Sequence, residues 1–445
     1  MNDPRDYVDG DDSIIGKAML GSLIAFAIIA GIGYGIYLWM NPNVVAELGK
    51  TDPVVLPRTP AIPQIDLPEL HWTDITDSAG IDFVHENGAT GEKLLPETMG
   101  GGCAFFDYNN DSYQDLLFVN SRHWHWSTPE NSKPATMKLY ANDGTGKFTD
   151  VTVEAGLDVS MYGMGVACGD YDNDGWVDLF ITCVGEDKLY RNESGKFVDV
   201  TEKTKTGGTG DAWSTSAGWF DFDNDGDLDL FVCHYLQWSR QFDAGQNFQL
   251  IGGGRAYGRP QAFLGTYCSL YRNDGGVFED VSEQAGLRIS NPDTGSPMGK
   301  SLGVCFDDFN EDGWLDVIVS NDTVQNFLFL NQKDGTFKEI GALSGVAFDP
   351  QGDARGAMGI ASERYRNDSS IGVAIGNFSN EMTALYVTPA KQIQFRDEAV
   401  ANGLGPLTRL QLSFGLFFAD VDLDGRIDLF QANGHLEEDI SKVQS

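Results

Sequence analysis

Basic residues are scarce in this chain of 445 residues. Lys and Arg number 30 against 66 Asp and Glu, so the formal net charge is -36. Proteins that bind the nucleic-acid backbone do so with clustered Lys and Arg, and the sequence contains no basic stripe. The composition therefore excludes nucleic acid as the partner.

Motifs of common catalytic and cofactor sites are missing as well. The sequence contains no nucleophile elbow, no P-loop, no HExxH zinc helix and no CxxCH haem-attachment motif. We therefore predict that the protein is not an enzyme. A propeller polysaccharide lyase or hydrolase would need basic or phenolic groups beside a carboxylate, and one cluster offers them. Its members are Arg255, Tyr257, Arg259 and Tyr267.

Histidine is limited to six residues. His123 and His125 could ligate a transition metal, but their HWHW context favours packing of a loop onto the body of the protein. The remaining histidines lie inside repeated phrases, which predicts structural roles. They are His71, His85, His234 and His435.

Cysteine is equally limited, with six residues. Cys103, Cys168 and Cys305 precede acidic loops at similar positions, which predicts small buried core thiols. Cys233 and Cys268 flank a long insertion and form the only disulfide pair that the sequence suggests.

One run of 23 residues, from Ala18 to Met40, carries no charged side chain. As a helix it is long enough to cross a hydrocarbon core of about 30 Å. A cleaved secretory signal is the alternative, but the run is long and an acidic segment precedes it. We predict a transmembrane helix over residues 18–40 after a cytoplasmic acidic tail over residues 1–17.

Small residues recur along one face of this predicted helix. Ala27, Gly31 and Gly35 are spaced by four, an arrangement that lets another transmembrane helix approach closely. Residues 41–70 contain six Pro and predict an extended tether. The remaining residues, 71–445, form the predicted extracytoplasmic domain.

Five acidic nine-residue loops are the most informative feature of that domain. They read DYNNDSYQD, DYDNDGWVD, DFDNDGDLD, DFNEDGWLD and DVDLDGRID, and begin at Asp107, Asp170, Asp221, Asp308 and Asp420. Positions 1, 3 and 5 place side-chain oxygens on one side of a turn, position 7 offers a backbone carbonyl, and the Asp at position 9 closes the shell. The predicted metal ligands are Asp107, Asn109, Asp111, Tyr113, Asp115, Asp170, Asp172, Asp174, Trp176, Asp178, Asp221, Asp223, Asp225, Asp227, Asp229, Asp308, Asn310, Asp312, Trp314, Asp316, Asp420, Asp422, Asp424, Arg426 and Asp428.

Oxygen-only ligands with several negative charges favour Ca²⁺ over Mg²⁺ or Zn²⁺, and the spacing predicts about five ions. An EF-hand is excluded because no Glu stands at position 12. Short apolar runs such as DLFITC and DLFVCH follow the loops instead, and they predict buried strands.

A longer repeat surrounds each loop. After the apolar strand come a leucine-aromatic-Asn turn and an F-x-D-V-T strand, as in LYRNESGKFVDVT from Leu189. Units of about four short strands at a period of roughly 50 to 60 residues are typical of a β-propeller. We predict an all-β fold, a propeller of six to seven four-stranded blades with Ca²⁺-binding loops, preceded by one transmembrane helix.

Irregular parts of the repeat carry further predictions. Residues 359–386 keep the strand rhythm, but Glu363, Tyr365 and Asn367 replace the carboxylates, so no ion is expected there. The phrase HWTDITDSAGI from His71 matches the strand that ends other repeats and is predicted to complete the last blade and close the ring. Two insertions, 123–137 and 237–263, are predicted to be loops on one face, where binding is usually built.

Together these phrases resemble FG-GAP/VCBS-type propellers, and more narrowly the cartilage acidic protein family (ASPIC and UnbV). The phrases that carry the resemblance include MGVACGDYDNDGWVDLFIT from Met164, SAGWFDFDNDGDLDLFV from Ser216 and ADVDLDGRIDLFQANGH from Ala419. The resemblance implies an exported Ca²⁺-binding propeller, often seven-bladed, that serves recognition or assembly and not catalysis. In one respect the chain departs from the family, which usually continues past the Asn-Gly-His phrase with another repeat.

The combined features predict a membrane-anchored, extracytoplasmic, calcium-binding propeller that acts as an interaction or scaffold subunit of a membrane protein complex. Weak calcium sites fill where Ca²⁺ is millimolar, so the N-terminus is expected in the cytoplasm and the propeller in the periplasm or outside the cell. A Ca²⁺-dependent glycan-binding or adhesion module is the alternative, and a polysaccharide lyase or hydrolase is less favoured.

Overall fold

The computed structural model describes residues 12–40, 71–128, 130, 133–250 and 254–437. They divide into two compact units, Met1–His71 and Trp72–Ser445. The predicted tether, residues 41–70, lies outside the described residues, as do residues 1–11 of the predicted tail.

The described residues of the first unit form one helix, Asp12–Met40, which begins six residues before the predicted span. Its segment Met19–Met40 has a mean hydropathy of 2.0, and none of that segment is buried. By length and composition this segment can serve as a signal anchor or as a transmembrane span.

The second unit is built from 22 strands in antiparallel sheets, and strands adjacent in the chain pair with each other. Five described sheets have four strands and one has two. The strands are β1 (Cys103–Phe106), β2 (Asp115–Phe118), β3 (Lys138–Asn142), β4 (Phe148–Asp150), β5 (Gly163–Gly169), β6 (Asp178–Cys183), β7 (Lys188–Asn192), β8 (Phe197–Asp199), β9 (Ser214–Phe220), β10 (Asp229–His234), β11 (Ser269–Asn273), β12 (Phe278–Asp280), β13 (Ser301–Asp307), β14 (Asp316–Asn321), β15 (Phe327–Asn331), β16 (Phe337–Glu339), β17 (Ala357–Glu363), β18 (Ile371–Asn377), β19 (Ala384–Thr388), β20 (Arg396–Asp397), β21 (Ser413–Ala419) and β22 (Asp428–Asn433).

Short helical turns connect these sheets. They are the helices Thr76–Ala79, Thr201–Thr204, Arg240–Gly245, Gly341–Ser344 and Leu404–Thr408, and the 3-10 turns Leu95–Thr98 and Pro260–Ala262.

The first strands of all six described sheets line one channel of about 710 Å³. Glycine permits the close approach of neighbouring strands there, because a Cβ on Gly165 would lie 2.4 Å from the carbonyl oxygen of Thr215. The second strand of each complete blade is buried, and β6, β10 and β14 are buried along their whole length. The predicted β-propeller is confirmed, with six blades in the described part of the chain.

The Asn that ends the third strand connects neighbouring blades. Asn192 Nδ2 donates to Val177 O of its own blade at 3.1 Å and to Tyr108 O of the preceding blade at 2.9 Å. Asn273 and Asn331 repeat this pair of hydrogen bonds, one to their own blade and one to the preceding blade. The sequence analysis identified this Asn as part of a turn and did not predict its role between blades.

Helical turns after the outer strands add a second connection. In three blades a turn carbonyl accepts a backbone N–H at the start of the outer strand of the next blade. Ala155 O accepts from Phe197, Ala285 O from Phe337 and Ser344 O from Phe395. Phe197 and Phe337 are the first residues of β8 and β16, and Phe395 directly precedes β20. The N···O distances of these hydrogen bonds are 2.7 to 2.8 Å. Both connections join the first blade to the second and the third to the fourth, while the second and third blades are joined by the Asn bond and the fourth and fifth by the turn bond.

The N-terminal phrase lies close to both the first and the last blade. A Cβ on Gly80 would lie 2.7 Å from Phe148 O of the first blade, and the Trp72 ring is 6.1 Å from the Phe430 ring of the last. Its predicted strand is not formed: residues 71–75 have no assigned strand, and Thr76–Ala79 is a helical turn. The physical reason is that, among the described residues, the last sheet has only β21 and β22, so this segment has no third strand to pair with.

The cysteine prediction holds for Cys305, which is buried, and is wrong for Cys103, which is exposed and lines the channel. Cys168 is half-buried. Cys103 and Cys168 stand four and two positions before their loops and Cys305 stands three, so strand alternation places Cys305 on the opposite face of its sheet from the other two. Cys233 and Cys268 are buried in the same core cluster as free thiols.

Substituting the same repeat position in two blades tests how burial is distributed. Phe231→Ala should cost about 3 to 5 kcal/mol of unfolding free energy, because Phe231 is fully buried. Phe430→Ala should cost less than about 1.5 kcal/mol, because 40% of Phe430 is exposed. Urea unfolding of the full-length protein in detergent measures both losses of unfolding free energy. Equal losses would contradict the difference in burial between Phe231 and Phe430.

The bonds of Asn between blades give a second prediction. Asn273→Ala removes hydrogen bonds to two buried carbonyls in two blades and should cost about 1 to 3 kcal/mol. Asn142→Ala is the matched control, since Asn142 Nδ2 donates to Gln114 O of its own blade. The thermal unfolding temperature should fall further for Asn273→Ala. A larger fall for Asn142→Ala would show that the contact between blades carries little stability.

Candidate metal centres

All five acidic loops occupy the same place in their blades. Each connects the first strand to the second, and its Asp at position 9 is the first residue of the second strand. The loops therefore lie at the same end of the blades, and strands follow them as the sequence predicts. This arrangement excludes the helix-loop-helix of an EF-hand.

Asp at position 1 shapes each turn. Asp170 accepts the N–H of Asp174 at 3.0 Å on one oxygen and that of Gly175 at 2.9 Å on the other. The other four loops repeat both bonds at 2.7 to 3.1 Å. Position 5 accepts the N–H of position 7 in the same way, as Asp174 does from Trp176. The first and fifth carboxylates are thereby held on one side of the turn.

Position 6 requires a left-handed backbone. Gly175 has φ +88 there, and the glycines of three other loops are similar. Ser112 occupies this position in the first loop with φ +72. Its Cβ makes that conformation unfavourable, so the turn of the first loop is strained at Ser112.

Asp at position 9 is buried in the first four loops, where its Oδ1 accepts the N–H of the Asn that ends the third strand. Asp178 is 0% exposed; its Oδ2 accepts the N–H of Tyr171 at 3.1 Å and its Oδ1 that of Asn192 at 2.7 Å. Burial raises the pKa of Asp178, Asp229 and Asp316 to about 7, although the two backbone N–H donors act in the opposite direction. A nearby cation would stabilise the ionised form of these carboxylates.

Side chains at position 4 join neighbouring loops. Asn110 Nδ2 donates to Gly175 O at 3.0 Å, and Asn224 Nδ2 donates to Gly313 O at 3.1 Å. Asn173 Nδ2 reaches Asp227 Oδ1 at 2.9 Å. The first four loops therefore form a continuous row, which the sequence analysis did not predict because these contacts connect residues 54 to 89 positions apart.

Three buried carboxylate oxygens have no hydrogen-bond partner among the described residues. They are Asp172 Oδ1, Asp223 Oδ1 and Asp316 Oδ2. Leaving a buried acceptor unpaired is costly, and a bound cation supplies the missing partner. Burial, followed by repulsion from the neighbouring loop carboxylates, raises the pKa of Asp172 and of Asp223.

Three loops bring carboxylate oxygens from three residues within 4.8 Å of one another. The groups are Asp170, Asp172 and Asp178; Asp221, Asp223 and Asp225; and Asp420, Asp422 and Asp428. This oxygen set fits a hard cation, and in the second and third loops the unpaired oxygens of Asp172 and Asp223 would be among its ligands.

The first and fourth loops differ because position 3 is Asn. Asn109 Nδ2 donates to Asp111 Oδ2 at 2.9 Å, and Asn310 Nδ2 donates to Asp312 Oδ2 at 3.0 Å. Lys333 Nζ also lies 3.1 Å from Asp312 Oδ2. The amide and ammonium groups already occupy the oxygens that a cation would use, so the five loops are not equivalent.

Position 7 is occupied by side chains of different kinds. In the fifth loop the Arg426 guanidinium donates to Asp424 Oδ2, which places a positive charge inside the loop. Tyr113, Trp176, Asp227 and Trp314 stand at the same position elsewhere. That the backbone carbonyls at position 7 are metal ligands stays a prediction, as does the number of about five ions.

Histidines outside the loops have structural partners. His234 is buried between Ser214 Oγ at 3.1 Å and Ser269 Oγ at 3.0 Å, and burial lowers its pKa to about 4. His85 Nε2 accepts the N–H of Gly101 at 3.1 Å. The structural roles predicted for these two histidines are confirmed.

The two insertions pack against each other through tryptophan. The Trp124 ring lies 4.9 Å from Trp126 and 5.3 Å from Trp238 of the second insertion, and both pairs are stacked. His125 packs edge-on against Trp126 at 4.5 Å. The HWHW segment therefore packs a loop onto the propeller, as predicted.

The predicted basic and phenolic cluster has diverse structural partners. Arg255 donates to the backbone carbonyls of Asp243, Gln246 and Glu92. Tyr267 Oη bonds Ser290 Oγ at 2.7 Å, on a different segment. These contacts give the Arg255 guanidinium a structural role in holding the second insertion.

A sequence model described as FG-GAP-like repeat matches residues 107–181, 170–232 and 308–369. Each match begins at the first Asp of an acidic loop, at Asp107, Asp170 and Asp308. The unit found in the sequence thus coincides with the loop and the blade that follows it.

Curated relatives share part of the chain. Cartilage acidic protein 1 of Homo sapiens is 30% identical over 189 residues, which are 41% of this chain and 24% of that protein. The protein of the same name from Xenopus tropicalis is 28% identical over 260 residues, 57% of this chain and 33% of the relative. The chain thus matches a quarter to a third of the length of these relatives.

Solved structures give distant likenesses. An Agrocybe aegerita lectin described for specific recognition of non-reducing terminal N-acetylglucosamine is 13% identical, with 75% of this chain and 71% of that chain covered and a TM-score of 0.36. A rhamnogalacturonan lyase of Bacillus licheniformis is 11% identical, with 78% and 74% covered and a TM-score of 0.30.

The predicted resemblance is therefore confirmed by the repeats and by the curated relatives: the chain contains FG-GAP-like repeats within residues 107–232 and 308–369, folds as a β-propeller and is similar over about half its length to cartilage acidic protein 1.

Proposed function

We propose that the protein is a membrane-anchored, extracytoplasmic, calcium-binding propeller that serves as an interaction or scaffold subunit of a membrane protein complex. One observation carries the calcium assignment: Asp172 Oδ1 and Asp223 Oδ1 are buried, unpaired and aligned with neighbouring carboxylates. An oxygen-only shell of several negative charges is the chemistry that Ca²⁺ prefers.

The ions would act on the architecture. Position 9 Asp is bonded to the third strand, position 4 Asn reaches the next loop, and the ion would hold positions 1, 3 and 5 between them. A cation in the second or third loop therefore stabilises its own hairpin and the row of loops. Ions that bind the folded state alone raise its stability by mass action.

The location follows from calcium and from the N-terminal helix. Loops of this kind fill where Ca²⁺ is millimolar, which is outside the cytoplasm. The helical segment Met19–Met40 would anchor the chain, with the N-terminus in the cytoplasm and the propeller on the opposite side. The predicted tether over residues 41–70 would hold the propeller away from the lipid.

An interaction role is supported by one face of the N-terminal helix. Ala27, Gly31 and Gly35 are exposed along the helix, and a Cβ added to either glycine meets no atom within 4 Å outside the local helix backbone. Another transmembrane helix can pack closely on such a face. The structural engagement of Arg255 and His234 favours this role over catalysis.

Removal of calcium should destabilise the protein. Exhaustive dialysis against EGTA should lower the thermal unfolding temperature, and added Ca²⁺ should restore it. At a free concentration of 100 times the dissociation constant, each site contributes about 2.7 kcal/mol. Elemental analysis should find bound calcium before dialysis and none afterwards. An unchanged transition in a protein without bound metal would contradict the calcium assignment.

A matched pair of variants assigns that effect to a loop. Asp223→Ala should lose about one ion per chain and show a smaller response to EGTA. Asp334→Ala is the control, because Asp334 lies in an exposed turn and bonds Thr336 of the same turn. Equal calcium content in the two variants would remove the third loop from the proposal.

The helix face gives a separate prediction about the complex. Extraction in mild detergent should yield the protein with a co-purifying membrane protein. Gly31→Ile should lose that partner, because its side chain prevents close approach on the small-residue face. Gly33→Ile, on a different face of the same helix, should retain it. A lone monomer with its helix intact would contradict the subunit role.

A further inference from the structure

Two adjacent cavities lie at the end of the propeller opposite the acidic loops. Their volumes are about 490 and 670 Å³, and Asp211 and Trp238 line both of them. The acidic loops connect first strands to second strands, whereas the connections from second to third strands in the first three blades contribute to the walls of these cavities. Because the paired strands are antiparallel, the two kinds of connection lie at opposite ends of a blade. The two cavities together are called the Trp238 cleft.

Tryptophan supplies most of the apolar surface of the cleft. Four of the nine tryptophans in the chain line it, Trp124, Trp126, Trp213 and Trp238. The Trp238 ring stacks on Trp124 at 5.3 Å, and its Nε1 donates to Asp243 Oδ2 at 2.8 Å. These contacts hold the ring in place before a ligand arrives. A rigid aromatic ring offers a large contact area at little cost in conformational entropy. The cleft is therefore organised to receive a flat apolar surface.

A buried chain of hydrogen bonds fixes the polar wall of the larger cavity. Ser214 Oγ donates to Asp187 Oδ2 at 2.8 Å. The two ring nitrogens of His234 lie 3.1 Å from Ser214 Oγ and 3.0 Å from Ser269 Oγ. Asp187, Ser214 and His234 are 1%, 0% and 8% exposed, while His234 and Ser269 line the cavity. The wall therefore presents hydrogen-bonding side chains at fixed positions, as ligand sites do.

The lining residues restrict the chemistry of the ligand. Among the described residues that line the larger cavity, Ala212 and Leu236 alone have aliphatic side chains, so a lipid or an apolar peptide would leave polar groups without partners. Four basic side chains and three carboxylates line the cleft, whereas the whole chain has 30 and 66. Lys188 Nζ lies 2.7 Å from Glu186 Oε2, so part of that charge is already paired. A ligand that fits is polar, uncharged and flat on one face.

We propose that the Trp238 cleft binds a neutral oligosaccharide. A pyranose ring has a face of C–H groups that stacks on an indole, and hydroxyl groups around its rim that bond carboxylate, amide and hydroxyl side chains. Asp211 is exposed beside Trp238 and accepts the Thr209 hydroxyl on Oδ1 at 2.7 Å. Among the described residues its Oδ2 accepts no hydrogen bond, so that oxygen can bind a sugar hydroxyl. This inference goes beyond the subunit role and does not require it.

A glycan array tests the proposal with the full-length protein in a detergent that has no sugar head group. The array carries neutral, sialylated and sulfated oligosaccharides. Neutral members should bind, and titration of a bound one in solution should give a saturable change in tryptophan fluorescence, because the sugar covers the Trp238 ring. Binding to no neutral oligosaccharide, or to acidic ones alone, would overturn the proposal.

A matched pair of variants locates the sugar. Asp211→Ala should weaken binding at least tenfold, because it removes a charged hydrogen-bond acceptor from both cavities. Asp143→Ala is the control and should bind as the unaltered protein does. Asp143 also accepts a threonine hydroxyl at 2.7 Å from two residues away, but in a turn at the acidic-loop end of the first blade. Equal affinities of the two variants would overturn the assignment to the cleft.

Two further measurements separate the cleft from the acidic loops and from the protein partner. Sugar binding should persist after dialysis against EGTA at a temperature where circular dichroism shows the fold retained. Loss of binding by a folded protein would place the sugar at the loops and overturn the proposal. If Asp211→Ala instead loses the co-purifying membrane protein and no glycan binds, the cleft is a protein-binding surface. That result would overturn the oligosaccharide and leave the subunit role in place.

Discussion

The buried Asp at position 9 of the first four loops is the interaction on which the rest of the propeller depends. In the second loop, the two oxygens of Asp178 accept one N–H from the loop and one from the end of the third strand, so a single carboxylate fixes the turn and three strands together. The Asn at that strand end then bonds the preceding blade. Because a buried carboxylate requires these partners, turn, blade and ring form as one hydrogen-bonded unit.

That constraint also explains why the loops are the proposed metal sites. Fixing positions 1, 5 and 9 leaves position 3 aimed at the same space, and Asp there is left with an unpaired oxygen in the second and third loops. Asn at position 3 instead bonds its neighbour, as Asn109 does in the first loop. At position 3, an amide nitrogen in place of a carboxylate oxygen therefore distinguishes a turn that is hydrogen-bonded within itself from a proposed cation site.

Much of the fold could be read from the sequence, because the loop spacing and the apolar run after it are local patterns. Contacts that depend on the ring could not. Asn192 bonds a carbonyl 84 residues away, and nothing local marks that partner. Cys103 was predicted buried from its distance to a loop, but one position along a strand reverses the side it faces. The phrase at residues 71–81 carries a strand pattern without a neighbouring strand to pair with.

The central claim is that unpaired, buried carboxylate oxygens in the acidic loops are cation ligands that hold a propeller together outside the cytoplasm. Anomalous diffraction from crystals grown with calcium tests it most directly. The account predicts peaks in the second and third loops, about 2.3 to 2.6 Å from Asp172 Oδ1 and Asp223 Oδ1. Loops without anomalous density, with these oxygens bonded to water or to a basic side chain, would contradict it.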